Sequence, residues 1–326
     1  MPERDGTGPA PSSEGAGVAG RETSESRANR RRAAALRRGN PKAALFLVAP
    51  FVVAYLVLFI YPTAKMVELS FTNAPLVGGG KFVGIANYTR LFHDSLFLES
   101  VWHTGYFVLL TVVPNTLIGL GIAMMVVRLK GFLQGIVLAC FFMPYVLPST
   151  VVYRIWIWVL DRQYGVAQYV IHAVTGSRIS VFSDPIWAMP MVAFITIWWT
   201  CGFNVLIFIA GLRNISSELY DAASLDGARR WNRFRYVTWP LVWPVTALVL
   251  TIQLILQLKI FDQIYLFTKG GPFDSTYVML QFIYKEAFQL NRGGYASTAA
   301  LFLFMVIAGL SVLQFQVLRT KGSDDA

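Results

Sequence analysis

The chain has 326 residues, of which 55% are hydrophobic and only 14% charged. Soluble domains carry roughly a quarter charged residues, so this balance points away from an ordinary soluble domain and toward a membrane protein. The net charge of +10 falls largely beside apolar runs, which makes the negative lipid surface its partner rather than nucleic acid.

Residues 1–42 are rich in Gly, Ala, Ser, Pro and Arg and nearly free of large apolar side chains. Such a stretch cannot bury enough surface to offset its ordering entropy, and it is read as a disordered basic cytoplasmic tail. Its polar lead is too long for a signal peptide, and the apolar run after it is nearly of bilayer length. The body is expected over 43–320, with a short tail at 321–326.

A helix needs about 20 apolar residues to cross a bilayer. Six runs qualify: Ala43–Tyr61, Val101–Val127, Phe132–Val152, Ile186–Leu212, Leu241–Phe267 and Tyr295–Val317. Only helices and closed barrels satisfy their backbone in lipid, and unbroken runs of this length exclude a barrel. The expected fold is therefore an all-α membrane protein with about six transmembrane helices. Pro114, Pro144, Pro148 and Pro190 interrupt three of the runs and predict kinks.

Lys and Arg near the span ends set the orientation. With the N-terminus inside, the inner side holds Arg27 to Lys42, Arg128, Lys130, Arg213, Arg229 to Arg235, Arg319 and Lys321. The outer side holds fewer: Lys65, Lys81, Arg90, Arg154, Arg162, Arg178, Lys269, Lys285 and Arg292. Both termini are thus expected in the cytoplasm.

The first outer loop contains Phe82-Val83-Gly84-Ile85-Ala86-Asn87-Tyr88, preceded by Tyr61-Pro62 and Ser70-Phe71. The fourth run ends Ile207-Phe208-Ile209-Ala210-Gly211-Leu212. It leads into Ser217–Pro240, a long polar segment between two apolar ones. Ser217 is the expected N-cap, and Glu218 and Asp221 set negative charge at the positive end of a short helix. Ala222 and Ala223 keep one face thin. Gly227 ends or bends the helix, because a left-handed residue costs Gly nothing. A basic stretch from Arg229 to Arg235 follows, and on these grounds alone the segment is equally a plain basic loop. The fifth run ends Phe261-Asp262-Gln263-Ile264-Tyr265, then Thr268-Lys269-Gly270-Gly271-Pro272, a tight turn on physical grounds.

Asp221-Ala222-Ala223, Gly227 and Val237-x-Trp239-Pro240 resemble the EAA loop of binding-protein-dependent ABC importer permeases, with Asp for Glu, Val for Ile and Trp for Leu. Asp226-Gly227-Ala228 fits its fuller form in the sugar-permease branch, as does FVGIANY in the outer loop. The FDQIY…TKGGP stretch is similar to the subunit type of the larger maltose permease and the glycerol-phosphate permease A subunit. This resemblance, from about Leu45 to Leu318, implies a type I importer (MetI-like) architecture. It also implies a second similar permease, two ATP-binding cassette subunits, an extracytoplasmic binding protein and a sugar-like solute. In the family this loop (213–240 here) docks on the ATPase, which gives Glu218, Asp221, Ala222, Ala223, Asp226, Gly227 and Arg230 a coupling role. ATP and Mg would sit on the partners, with no cofactor on this chain. No P-loop motif occurs in it, nor a nucleophile motif, so no enzyme activity is expected.

Ionisable and amide groups inside spans face a cavity or one another. Gln253 and Gln257 share one face of the fifth run, and Lys259 and Asp262 share another, roughly opposite. The glutamines either bond solute hydroxyls or tie neighbouring helices together. Asn204, Tyr145 and Trp198, with Asn115 and Trp199, are further candidates for a solute path, since aromatic faces beside polar groups suit a sugar. Lys259 and Asp262 form either a structural ion pair or, in an alternative reading, the ion site of a secondary transporter. His93, His103 and His172 lack metal-ligand spacing. Cys140 and Cys201 lie inside apolar runs and are read as small buried hydrophobes.

Overall fold

The structure, a computed structural model, describes residues 41–323. The expected N-terminal tail up to residue 40, with its Arg27 to Arg38 cluster, and residues 324–326 lie outside the described residues. So do the side chains of Arg319 and Lys321.

Among the described residues every regular element is helical, apart from one antiparallel bridge between Thr72 and Phe82. Five helices are long and apolar enough to cross a membrane: Leu45–Ser70, Ser95–Val126, Ala188–Arg213, Arg230–Leu258 and Gly293–Gln314. The helices Gly131–Val146 and Ser149–Val159 pass the same test only as a pair, bent by 102°, and the pair is counted here as one broken span. In chain order these are the first to sixth spans, the broken pair being the third.

The chain divides into two compact units, 1–63 and 64–326. The described part of the first unit is Pro41–Tyr55, a π-helical turn Leu56–Ile60 and the start of Tyr61–Ser70. From Leu45 to Thr63 no side chain is buried, and Phe51, Tyr55 and Phe59 stack along one side. A helix apolar on every side over this length is what a membrane span requires.

In the second unit the second and fourth spans form the central pair, flanked by the third, fifth and sixth. Close approach comes from small residues, as expected where lipid supplies no hydrophobic drive between helices. A Cβ on Gly202 would lie 2.0 Å from the Phe141 carbonyl oxygen of the third span. One on Gly119 of the second span would lie 2.8 Å from the Asn204 Cβ of the fourth. The hydroxyls of Thr111, Thr116, Thr196 and Thr200 donate to their own i−4 carbonyls, so these spans carry polar residues without orphaned donors.

Two expected spans differ from the sequence reading. Phe132–Val152 is not one rod: Leu147 and Pro148 are extended (ψ 136° and 147°) and the chain turns sharply there. Proline has no N–H and forces the residue before it out of the helical region. The Trp199 indole N–H donates to the freed Leu147 carbonyl at 3.2 Å. The fifth run likewise does not continue to Phe267. The helix starts earlier, at Arg230, and stops at Leu258, and a separate short helix covers Asp262–Phe267. The break is held by Ile260 and Ile264, both buried with Phe107, Val192 and Ile195. Cys201 is buried as expected, whereas Cys140 is exposed; both are free thiols.

The outer loop after the first span is pinned to the start of the sixth. Asn87 Nδ2 donates to the carbonyls of Ser70 and Thr72, and the Thr298 hydroxyl reaches the Ser70 carbonyl at 3.1 Å. The Gly294 N–H donates to Ala74, and a Cβ there would sit 2.0 Å from the Thr72 oxygen. The Tyr295 hydroxyl donates to Asp94 at 2.9 Å beneath the Arg90 guanidinium.

Candidate functional site

The residues singled out in sequence gather in two places. The first is the short helix Ser217–Leu225, which follows the fourth span after a three-residue link. Its cap is Ser216 rather than Ser217: the Ser216 hydroxyl accepts from the Glu218 N–H at 3.3 Å. The shift of one residue leaves Glu218 in the first turn, where the dipole favours a negative charge. At the other end Gly227 has φ +76°, Gly227 N–H donates to Ser224 and Ala228 N–H donates to Ala223. That pair of bonds is a Schellman closure, which uses up the last carbonyls of the helix.

With both ends satisfied, the helix presents side chains outward without needing a covering layer. Glu218, Asp221, Ala222 and Asp226 are exposed, Ala223 is half-buried, and Leu225 is 90% exposed. Trp231 and Tyr236 project at the start of the long helix that follows. Two bonds fasten the short helix to that long one. The Tyr220 and Thr238 hydroxyls are 3.1 Å apart, and Arg233 Nη1 donates to the Ser224 hydroxyl at 3.1 Å. Arg230 opens the fifth span and, with Arg128 and Arg233, lines a cleft of about 430 Å³ beside the short helix. Arg213 donates to Gln134 at 2.9 Å, and Gln134 in turn to the Val126 carbonyl. The basic ends of the second to fifth spans thus meet at one end of the bundle, as their grouping by charge predicts.

The second place is a chain of amides through the centre of the bundle. Gln257 Nε2 donates to Gln253 at 3.1 Å, and Gln253 Nε2 donates to Asn204 Oδ1 at 2.8 Å. Asn204 Nδ2 approaches the Asn115 carbonyl at 3.4 Å, and Asn115 Nδ2 donates to the Thr200 hydroxyl at 2.8 Å. Asn115, Asn204, Gln253 and Gln257 are all at most 4% exposed. The chain is the seam between two apolar cores. One is built around Phe107, Ile195 and Ile260 and the other around Leu120, Val205 and Val249. In this arrangement the glutamines tie the second, fourth and fifth spans together, and a solute reaches them only if those spans part.

Tyr145 and Trp198 do not join this chain. Tyr145 stacks on Phe203 at 5.1 Å, and Trp198 packs edge-on to Trp156 at 5.3 Å. Lys259 caps the end of one helix and Asp262 begins another. Both are exposed, and among the described residues they form no ion pair. The expected shared face fails because the helix between them is broken. Thr200 and Thr238 escaped sequence reasoning, since a threonine in a span usually bonds its own helix and gives no separate signal. No group of His, Cys, Asp and Glu suited to a metal occurs among the described residues.

Residues 115–321 match the family of the binding-protein-dependent transport system inner membrane component. The chain is 32% identical over 285 residues to the sulfoquinovosyl glycerol transport system permease protein SmoG of Agrobacterium fabrum, covering 87% of this chain and 92% of that protein. It is 30% identical to the inner membrane ABC transporter permease protein YcjO of Escherichia coli, over 86% of this chain and 95% of that one. It is also 30% identical to the lactose transport system permease protein LacF of Rhizobium radiobacter, over 84% and 93%. The fold is similar to that of a bacterial ABC transporter involved in the import of the acidic polysaccharide alginate. There the TM-score is 0.77 at 21% identity, over 89% of this chain and 99% of that one. These matches cover the fourth span, the capped helix and the fifth span in one continuous stretch. The chain is an inner-membrane protein and belongs to the family of binding-protein-dependent ABC importer permeases.

Proposed function

We propose that this chain is one of two permease subunits in an ATP-driven importer of a sugar-like solute. The solute is delivered by an extracytoplasmic binding protein. The observation that carries the reading is the helix Ser217–Leu225, capped at both ends, exposed on its Asp221, Ala222 and Leu225 side, and bonded to the fifth span. A self-sufficient exposed helix with an apolar tip suits docking into a groove of another protein. Glu218, Asp221, Ala222, Ala223, Asp226, Gly227 and Arg230 form the contact with the ATPase subunits. ATP and Mg belong to those subunits, and this chain does no chemistry of its own. The basic end of the bundle, and with it both termini, lies in the cytoplasm. The sugar-like solute rests on relatives named for sulfoquinovosyl glycerol, lactose and trehalose/maltose transport. Nothing in the surroundings of Lys259 and Asp262 favours an ion-coupled carrier.

The test is solute-stimulated ATP hydrolysis by the reconstituted assembly carrying Leu225→Asp. Leu225 touches little of its own chain, so the substitution leaves the fold intact while placing a charge in the docking groove. Stimulation is expected to fall to the basal rate. Full stimulation in the variant would remove the coupling role from this helix.

A further inference from the structure

The cleft beside the short helix has a lining that coupling alone does not require. Arg128 from the end of the second span and Arg230 and Arg233 from the start of the fifth converge on it, and no carboxylate lines it. Among the described residues none of these three guanidinium groups forms an ion pair. Met124, Val127 and Leu212 supply its apolar wall. Three cations over a concave apolar surface, placed where spans leave the membrane, match a phosphate with hydrocarbon attached. An acidic protein side chain would satisfy the charges but has no use for the wall.

We infer that this cleft binds an anionic phospholipid, its phosphate held by Arg128 and Arg233 and its glycerol and upper acyl chains against Met124, Val127 and Leu212. Arg233 also holds Ser224, so an occupied cleft braces the short helix against the bundle. The bracing effect rests on the coupling reading; the binding rests only on the cleft.

The experiment titrates the detergent-purified assembly with dioctanoyl-phosphatidylglycerol, dioctanoyl-phosphatidylcholine or inorganic phosphate and counts bound lipid by native mass spectrometry. Phosphatidylglycerol is expected to bind in preference to the zwitterionic lipid. Arg128→Gln should weaken it about fivefold and Arg128→Gln/Arg233→Gln about 25-fold, from about a factor of five per basic residue at a membrane surface. Arg128→Lys, which keeps the charge, should stay within about twofold. Equal binding of the two lipids, displacement by an equal concentration of inorganic phosphate, or undiminished binding in the double variant would each overturn the site. None of those results touches the Leu225→Asp test, so the two readings fail separately.

Discussion

The amide chain offers a prediction whose pattern is more telling than its size. Gln253 takes part in two of its bonds, as donor to Asn204 and acceptor from Gln257, whereas Gln257 takes part in one. Gln253→Leu therefore orphans a buried acceptor on Asn204 and a buried donor on Gln257. Hydrogen bonds between membrane helices contribute about 0.6 kcal/mol on average and up to about 1.7 kcal/mol. Two lost together cost about 1–3 kcal/mol, and Gln257→Leu costs about half of that. The double substitution removes the same two bonds but leaves only Asn204 orphaned, so it should cost no more than Gln253→Leu alone. The assay is unfolding of the purified protein by SDS in mixed micelles, followed by tryptophan fluorescence. Costs that add, or a larger loss from Gln257→Leu than from Gln253→Leu, would refute the bonding scheme. A Gln257→Leu protein of unchanged stability that no longer transports would instead put that amide in contact with solute.

Further predictions follow from close contacts. Gly202→Ala drives a methyl group into the Phe141 backbone and should destabilise the bundle by about 1–3 kcal/mol. Gly121→Ala, with nothing within 4 Å of the new atom, should be neutral or add up to about 1 kcal/mol of helix stability; thermal melts of the two variants separate these outcomes. Gly294→Ala clashes with the Thr72 carbonyl and should free the outer loop, seen as faster proteolytic cleavage between residues 71 and 92 while the spans stay intact.

The parts legible in sequence were those governed by local rules. The spans follow from apolar length, and the end of Ser217–Leu225 follows from the need for positive φ at Gly227. The break at Leu147–Pro148 was signalled by proline, but proline alone does not say whether a membrane helix kinks or turns through 102°. The break after Leu258 carries no local signal at all: Lys259, Ile260 and Phe261 leave the helix because Ile260 and Ile264 are drawn into a core shared with the second and fourth spans. For the same reason the Lys259–Asp262 face, valid on an ideal helix, does not exist. The Gln253–Gln257 face survived because it lies within unbroken helix. Its partner Asn204 lies 49 positions away in sequence, a distance that periodicity cannot bridge.

The bond between Tyr220 and Thr238 ties the short helix to the helix that carries Gln253 and Gln257. Thr238 closes a π-helical turn, Phe234–Thr238, at the foot of the helix that carries Gln253 and Gln257. Fifteen residues of helix separate Thr238 from Gln253, about 22 Å at 1.5 Å per residue. A pull on Ser217–Leu225 therefore acts on a rod bonded to the fourth span near its far end. If the hydroxyl pair carries that pull, Tyr220→Phe keeps the ring and its packing but removes the bond. A neutral hydrogen bond contributes about 0.5–1.5 kcal/mol, so solute-stimulated ATP hydrolysis by the reconstituted assembly should drop about two- to tenfold. Thr238→Val should do at least as much, since it also loses the 3.4 Å bond to the Arg233 carbonyl, and the double variant should be no worse than Thr238→Val alone. Additive losses would mean that the two residues act separately, and an unchanged rate in Tyr220→Phe would mean that force reaches the fifth span through the Arg233–Ser224 bond instead.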